Sequence, residues 1–319
     1  MHIENLEFLK VLKNLEKRKT NSEFDCVVPI SGGKDGIFIL WYIKKYSNLN
    51  PVAFHIDNWY IAQESKKNID IVTKELNCEL VIQRPEWSLS KKIYRNLLLS
   101  MGEICIACEM MINLLPLRYA IEKGIPNIIW GLTPKQLVSK NISDGIKQID
   151  FDFYSNLSEY YKQIILSLSE CDNNDLVNKF VFLDENNRNK IWPEFVFPFY
   201  YLEYDANEIE EIIKKNTSWT RPKSVGGTSS NCVINNLHIY LKRQIKGDEY
   251  YKSMLEKKLN SQEVTKSVID HALQGYSDFS VFQDILQDLD IGLSQADLLN
   301  GIKGYKKNML LRKESNISQ

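Results

Sequence analysis

The sequence is poor in the residues that most often announce a site. Only four histidines occur in 319 residues, at positions 2, 55, 238 and 271, and no two have the spacing of paired metal ligands. No charge of either sign dominates: 40 Lys and Arg face 41 Asp and Glu, for a net charge of −1. That balance argues against a protein that grips duplex by neutralising phosphates, although a local basic patch could still guide RNA. No apolar run reaches the length of a membrane span, and the amphipathic start MHIENLEFLKVLKNLEKR lacks the apolar core of a signal peptide. Internal repeats and low-complexity linkers are also missing. These absences lead to the expectation of a cytoplasmic protein with no membrane partner.

Six cysteines stand at 26, 78, 105, 108, 171 and 232. In a chain of this size they read as reduced thiols, metal ligands or catalytic groups rather than a disulfide framework. Cys105-Ile-Ala-Cys108 forms a CxxC ahead of an expected helix over MMINLLPLRYAIEKG. A lone CxxC is shared by zinc, redox and iron–sulfur sites, and a second pair that would complete a four-cysteine zinc site is missing. Cys232 lies in GGTSSNCVIN, where a helix is expected to start. Cys26, Cys78 and Cys171 have no such spacing and are expected to be structural.

Short β-like runs alternate with helical ones. Strands are expected at 25–30, 51–56, 79–82 and 127–130, with a further extended path at 192–198. Helices are expected at 4–18, 37–46, 61–77, 88–100, 110–123 and 205–215. The 140–190 stretch reads as mostly helical, as does everything after 232. Alternation of this kind implies right-handed βαβ crossovers and a parallel α/β sheet with helices on both faces. The strand-final Gly32, Asp57 and Gly131 would then gather at the carboxyl edge, where such sheets bind ligands. The expected division is a nucleotide-binding α/β domain at 1–140, the rest of the catalytic domain with a helical insertion at 141–235, and a helical C-terminal region at 236–319. That last region reads as a packing or homodimerisation element. The aromatic run Trp192, Phe195, Phe197, Phe199, Tyr200, Tyr201 and Tyr204 fits core packing better than base stacking. Arg221 and Lys223 could meet a phosphate, but exposed cations before a loop are more often solvated.

The stretch VVPISGGKDGIFIL (27–40) sets six small or charged residues, Ser-Gly-Gly-Lys-Asp-Gly, between a strand and a helix. Such a turn can aim consecutive backbone N–H groups at an anion, with the helix dipole behind them. Ser31-Gly32-Gly33-Lys34-Asp35-Gly36 resembles the PP-loop of the ATP pyrophosphatase (adenine nucleotide alpha hydrolase-like) superfamily, whose pattern is SGGxDS. Gly36 replaces the usual final Ser. The resemblance implies a HUP-like fold and an enzyme that binds ATP with a magnesium ion (Mg2+). Such an enzyme transfers AMP to a substrate oxygen and releases pyrophosphate. It also implies nucleotide-binding roles for Ser31, Gly32, Gly33, Lys34, Asp35 and Gly36, for His55 and Asp57 after the second strand, and for Gly131, with Lys34 and Asp35 acting in catalysis.

A PP-loop followed by a CxxC and a distal cysteine is similar to the PP-loop thiolation enzymes that modify tRNA. In that comparison Cys105, Cys108 and Cys232 are catalytic, either as ligands of a [4Fe-4S] cluster or as persulfide carriers served by a sulfur donor protein. The 124-residue gap from Cys108 to Cys232 and the lack of zinc-finger cysteines turn the expectation from tRNA to a small, purine-like carbonyl compound. A rival resemblance, carried by Cys105–Cys108, GIPNIIWG and LEKKLNSQEVTKSVIDHAL, is to N-acetyl sugar amidotransferases. It implies ammonia from a partner glutaminase. A third reading keeps the turn as an inactive nucleotide-binding module, with Gly36 the sign of lost turnover.

Overall fold

The computed structural model describes residues 4–18, 20–168, 185–223, 231–260 and 279–302. Its centre is a six-stranded sheet in the order β3-β2-β1-β4-β6-β5, formed by β1 (Cys26–Ile30), β2 (Pro51–Ile56), β3 (Glu79–Gln83), β4 (Asn127–Ile129), β5 (Ile146–Gln148) and β6 (Glu194–Val196). All neighbours run parallel except β5, which lies antiparallel to β6 at one edge. The helices are α1 (Leu6–Glu16), α2 (Lys34–Tyr46), α3 (Gln63–Glu75), α4 (Trp87–Met101), α5 (Cys105–Lys123), α6 (Pro134–Ser139), α7 (Phe151–Leu168), α8 (Ala206–Asn216), α9 (Ile234–Lys246), α10 (Asp248–Asn260) and α11 (Gln283–Asp288). This is the α/β architecture expected from the sequence, a mostly parallel sheet flanked by helices, with further helices among the described residues after 231.

β1 and β2 are buried at nearly every position because both faces are covered, whereas the edge strands β3 and β5 are partly exposed. Alternate residues divide between two cores. Val27, Val52, Phe54, Ile128, Phe195 and Phe197 pack with α4, α5, α7 and α9. Cys26, Val28, Ala53, Ile129 and Val196 pack with α1, α2, α3 and α8 on the other face. The C-terminal residues Leu237, Tyr240, Leu286, Leu298 and Ile302 belong to the first core, together with α4 and α5.

Strand order reverses between β1 and β4: β2 and β3 lie to one side of β1, β6 and β5 to the other. Loops leaving β1 and β4 diverge there and open a crevice at their carboxyl ends. The Ser31–Gly33 turn leaves β1 and Gly131 follows β4, so the two flank that opening.

Three expectations need correction. The helix after the turn starts at Lys34, which places Lys34, Asp35 and Gly36 in its first turn. The CxxC does not precede its helix but opens it, since only Gly102–Ile104 separates α4 from α5. The 140–190 stretch contains the edge strand β5, whose three residues are too few to show a period of two. Among the described residues no helix is long and apolar enough to cross a membrane. Cys171 and His271 lie outside the described residues.

Candidate functional site

The turn after β1 is held from outside itself. Gly32 has φ +78°, and a Cβ there would stand 2.4 Å from the Ser65 carbonyl oxygen, so α3 packs directly against the glycine backbone. The Gly32 carbonyl accepts a 2.8 Å hydrogen bond from the indole Nε1 of Trp219, which is only 2% exposed. Gly33 caps α2 in an extended conformation without a side-chain hydrogen bond. The first N–H groups of this 13-residue helix therefore keep their donors for another acceptor. That is the cradle an anionic phosphate requires.

The side chains of the turn are arranged less simply. Lys34 Nζ donates to Asp35 Oδ1 and to the Tyr204 hydroxyl, both at 2.7 Å, and the Tyr204 hydroxyl donates to Asp35 Oδ1 at 3.0 Å. Lys34 is thus committed to a closed triangle with Asp35 and Tyr204. Tyr204 belongs to the aromatic run and is buried in the core behind the turn, so it packs and hydrogen-bonds at once.

In front of the turn lies a cavity of about 370 Å³. Of the expected residues, Ser31, Gly33, Asp35, Gly36, Gly131 and Cys108 line it; Gly32, Lys34, His55, Asp57, Cys105 and Cys232 do not. His55 is buried behind the wall, where its Nδ1–H donates to the Ile30 carbonyl at 3.0 Å. Burial keeps its ring below the usual histidine range, hence neutral. Asp57 is also buried. It accepts from Lys66 at 3.0 Å, from Arg84 Nε at 3.1 Å and from the Trp59 N–H at 3.1 Å. Burial alone would raise its pKa, but the Lys66 and Arg84 bonds overcome that and hold the carboxyl below its ordinary value. Arg221, the other phosphate candidate, is paired with Glu210 through Nε at 3.0 Å and through Nη2.

Asn58, which follows Asp57 at the second-strand end, also lines the cavity. Its side-chain amide donates to Cys108 Sγ at 3.2 Å and to Cys232 Sγ at 3.4 Å, so the two sulfurs lie within about 6.6 Å of each other, the sum of these bonds. Its Oδ1 accepts from the Tyr60 N–H at 3.0 Å, which fixes the amide orientation. Tyr94 OH lies 3.6 Å from the Cys108 sulfur. Cys232 reaches this place through a small antiparallel bridge to Ile61, flanked by bonds from Ala62 N to Asn231 O and from Val233 N to Tyr60 O, both 2.9 Å. The backbone N–H groups of Ile234 and Asn235 point at its sulfur.

Burial pushes the Cys105 and Cys232 thiols up to about 12, and Cys108 is also raised. Among the described residues no three His, Cys, Asp or Glu side chains are grouped to hold one metal ion. Cys26 is buried in β1 and the Cys78 thiol donates to the Pro51 carbonyl at 3.2 Å; neither reaches the cavity.

No family model matches the chain. A curated relative, an uncharacterized protein of Methanocaldococcus jannaschii, is 28% identical over 145 residues, which cover 45% of this chain and 50% of the relative. The match thus spans about half the length of that relative. Among solved structures, the chain is similar to the U34-tRNA thiolase NcsA from Methanococcus maripaludis with its [4Fe-4S] cluster, at 13% identity over 95% of this chain and 80% of that one, TM-score 0.36. It is also similar to a phosphoadenylyl-sulfate reductase from Candida auris, at 14% identity over 67% and 85%, TM-score 0.37. A third is an NH3-dependent NAD synthetase from Campylobacter jejuni, at 15% identity over 56% and 79%, TM-score 0.33.

Proposed function

We propose that the chain is an ATP-dependent adenylating enzyme that releases pyrophosphate and transfers sulfur to an activated carbonyl carbon of a small, purine-like molecule. One observation carries this reading: the glycine turn and Cys108 line the same cavity. An anion cradle alone would serve any nucleotide-binding module. A sulfur in the opposite wall supports chemistry at a carbon between them.

The acceptor's carbonyl or amide oxygen attacks the α phosphorus, the bond from that phosphorus to the bridging oxygen of the β phosphate breaks, and pyrophosphate leaves with the electron pair. A sulfur nucleophile then adds to the activated carbon, and the C–O bond to AMP breaks. The free N–H groups at the start of α2 and the Ser31 hydroxyl hold phosphate oxygens. Asp35 offers the carboxylate ligand that magnesium prefers. Asn58 keeps Cys108 at the wall beside the reacting carbon. A [4Fe-4S] cluster bound by Cys105, Cys108 and Cys232 would supply an iron that carries sulfide; otherwise a persulfide on one cysteine, loaded by a donor protein, attacks the carbon, a second cysteine thiol breaks the S–S bond to release the thiolated product, and an external thiol reductant reduces the resulting disulfide.

Acceptor-dependent pyrophosphate release from ATP tests the reading, with Asp35→Ala and Ser31→Ala expected to abolish it. Unchanged release in both variants overturns the assignment of the turn. Anaerobic purification separates the two sulfur routes. About four irons per chain, lost in Cys232→Ala, support the cluster, and iron-free protein that still thiolates supports persulfide.

A further inference from the structure

Trp59 forms a built feature that the chemistry above does not use. Its φ of +74° is a left-handed conformation, unusual for a bulky residue and found most often where a structure enforces it for a purpose. Three contacts enforce it here. The Trp59 N–H donates to Asp57 Oδ1 at 3.1 Å, the indole Nε1 donates to the Pro85 carbonyl at 2.8 Å, and the Arg84 guanidinium lies 5.0 Å from the ring centre. The second oxygen of Asp57 accepts from Arg84 Nε at 3.1 Å and from Lys66 at 3.0 Å. One buried carboxylate therefore sets both the indole and the guanidinium stacked on it.

Despite this restraint, Trp59 remains 36% exposed and the Arg84 side chain 49% exposed. Packing alone does not account for an indole held in strain with a third of its surface in water. From it a run of rings leads inward: Trp87 at 5.3 Å from Trp59, Tyr60 at 6.1 Å from Trp87, and Tyr94 at 5.9 Å from Tyr60. Tyr94 ends the run at the Cys108 sulfur. Trp59 and Arg84 stand outside the cavity lining, next to it in the chain through Asn58, the lining residue before Trp59.

We infer that Trp59 and Arg84 form an acceptor-binding subsite for a flat heterocyclic ring of the nucleobase type. An indole face stacks on such a ring, and a guanidinium stacks while offering in-plane donors to ring oxygens. Lys66 and Arg84 bring two positive charges against the single charge of Asp57, which favours a ring that carries a nearby phosphate. The ring could come from a free nucleoside or from a base in single-stranded RNA, since both present the same π-face. The inference rests on the reading that an acceptor enters this cavity.

The test needs no ATP. Inosine, ribose and a short single-stranded RNA are titrated into the full chain by equilibrium dialysis. Saturable binding is expected for inosine or the RNA and not for ribose. Trp59→Ala and Arg84→Ala should each weaken it at least fivefold, while Trp59→Phe keeps most of it. Trp59→Gly, which relieves the backbone strain, serves if the alanine variant does not fold. Tighter binding of RNA that falls steeply with salt points to RNA as the source; equal, salt-insensitive binding of inosine points to the free nucleoside. No saturable binding of either probe, or equal affinity in wild type and all the Trp59 variants, overturns the subsite. Probe binding that depends on Trp59 in a chain that releases no pyrophosphate removes the adenylation reading and leaves this one standing.

Discussion

Four residues of one turn, Ser31, Gly33, Asp35 and Gly36, line one part of the cavity, whereas its sulfur end joins segments 50 and 174 residues apart through one asparagine. The first is made of backbone: a strand end, a left-handed glycine and an uncapped helix start. The second is made of side chains that meet only after α4, α5 and α9 have packed. A local device of this kind depends on conformation at a few positions and fails when that conformation is lost. A non-local one depends on contacts, so a single substitution can remove its chemistry and leave the fold in place.

The largest expected effect breaks the local end. Gly32→Ala combines a positive φ with a Cβ 2.4 Å from a backbone oxygen. It should cost about 2–4 kcal/mol in urea unfolding and abolish ATP binding in calorimetry. Cys108→Ser tests the other end. Thiolated product should fall at least a hundredfold, with ATP binding retained and stability changed by no more than about 1 kcal/mol. Loss of ATP binding in that variant would erase the distinction between the two ends.

Proton affinity sharpens the contrast. Burial holds Cys105 and Cys232 near 12, so both stay protonated through neutral pH. Iodoacetamide at pH 8 should modify them far more slowly than a free thiol, by peptide mass spectrometry, with rates rising toward alkaline pH. Because the folded values are raised, their contribution to stability is complete below the unfolded thiol range. It fades as pH climbs toward 12. Fast alkylation at pH 8 would contradict the buried placement.

Smaller effects return to the turn. Trp219→Phe removes the bond to the Gly32 carbonyl and should cost about 1 kcal/mol, with ATP affinity weakened several-fold. Gly36→Ser supplies the hydroxyl of the SGGxDS pattern, but its Cβ would meet the Pro29 carbonyl at 3.2 Å. A loss of about 1 kcal/mol is expected in thermal unfolding, and a gain in stability would show that β1 yields easily at this point.

The sheet, most helices and the anion turn were legible because each leaves a local trace: a period of two or 3.6, or a glycine pair between a strand and a helix. β5 was not, being an edge strand of three residues. The partners of Lys34 were not legible, since one is its neighbour Asp35 and the other, Tyr204, lies 170 residues away. The partners of His55 and Asp57 were not legible either. Both stand at the right strand end, but their side chains turn into the wall, and the next residue, Asn58, faces the cavity. Nothing in the spacing of Asn58, Tyr94 or Trp219 marks them.

What the sequence by itself determined is therefore the α/β alternation and the position of the anion turn, since backbone preferences and burial periodicity are written within a few residues. Only the tertiary structure decided that Asn58 sits between Cys108 and Cys232, that Lys34 meets Tyr204, and that Asp57 organises Trp59 and Arg84. Those are contacts between side chains from separate elements. Their partners are selected by packing and desolvation, which no short stretch of sequence contains.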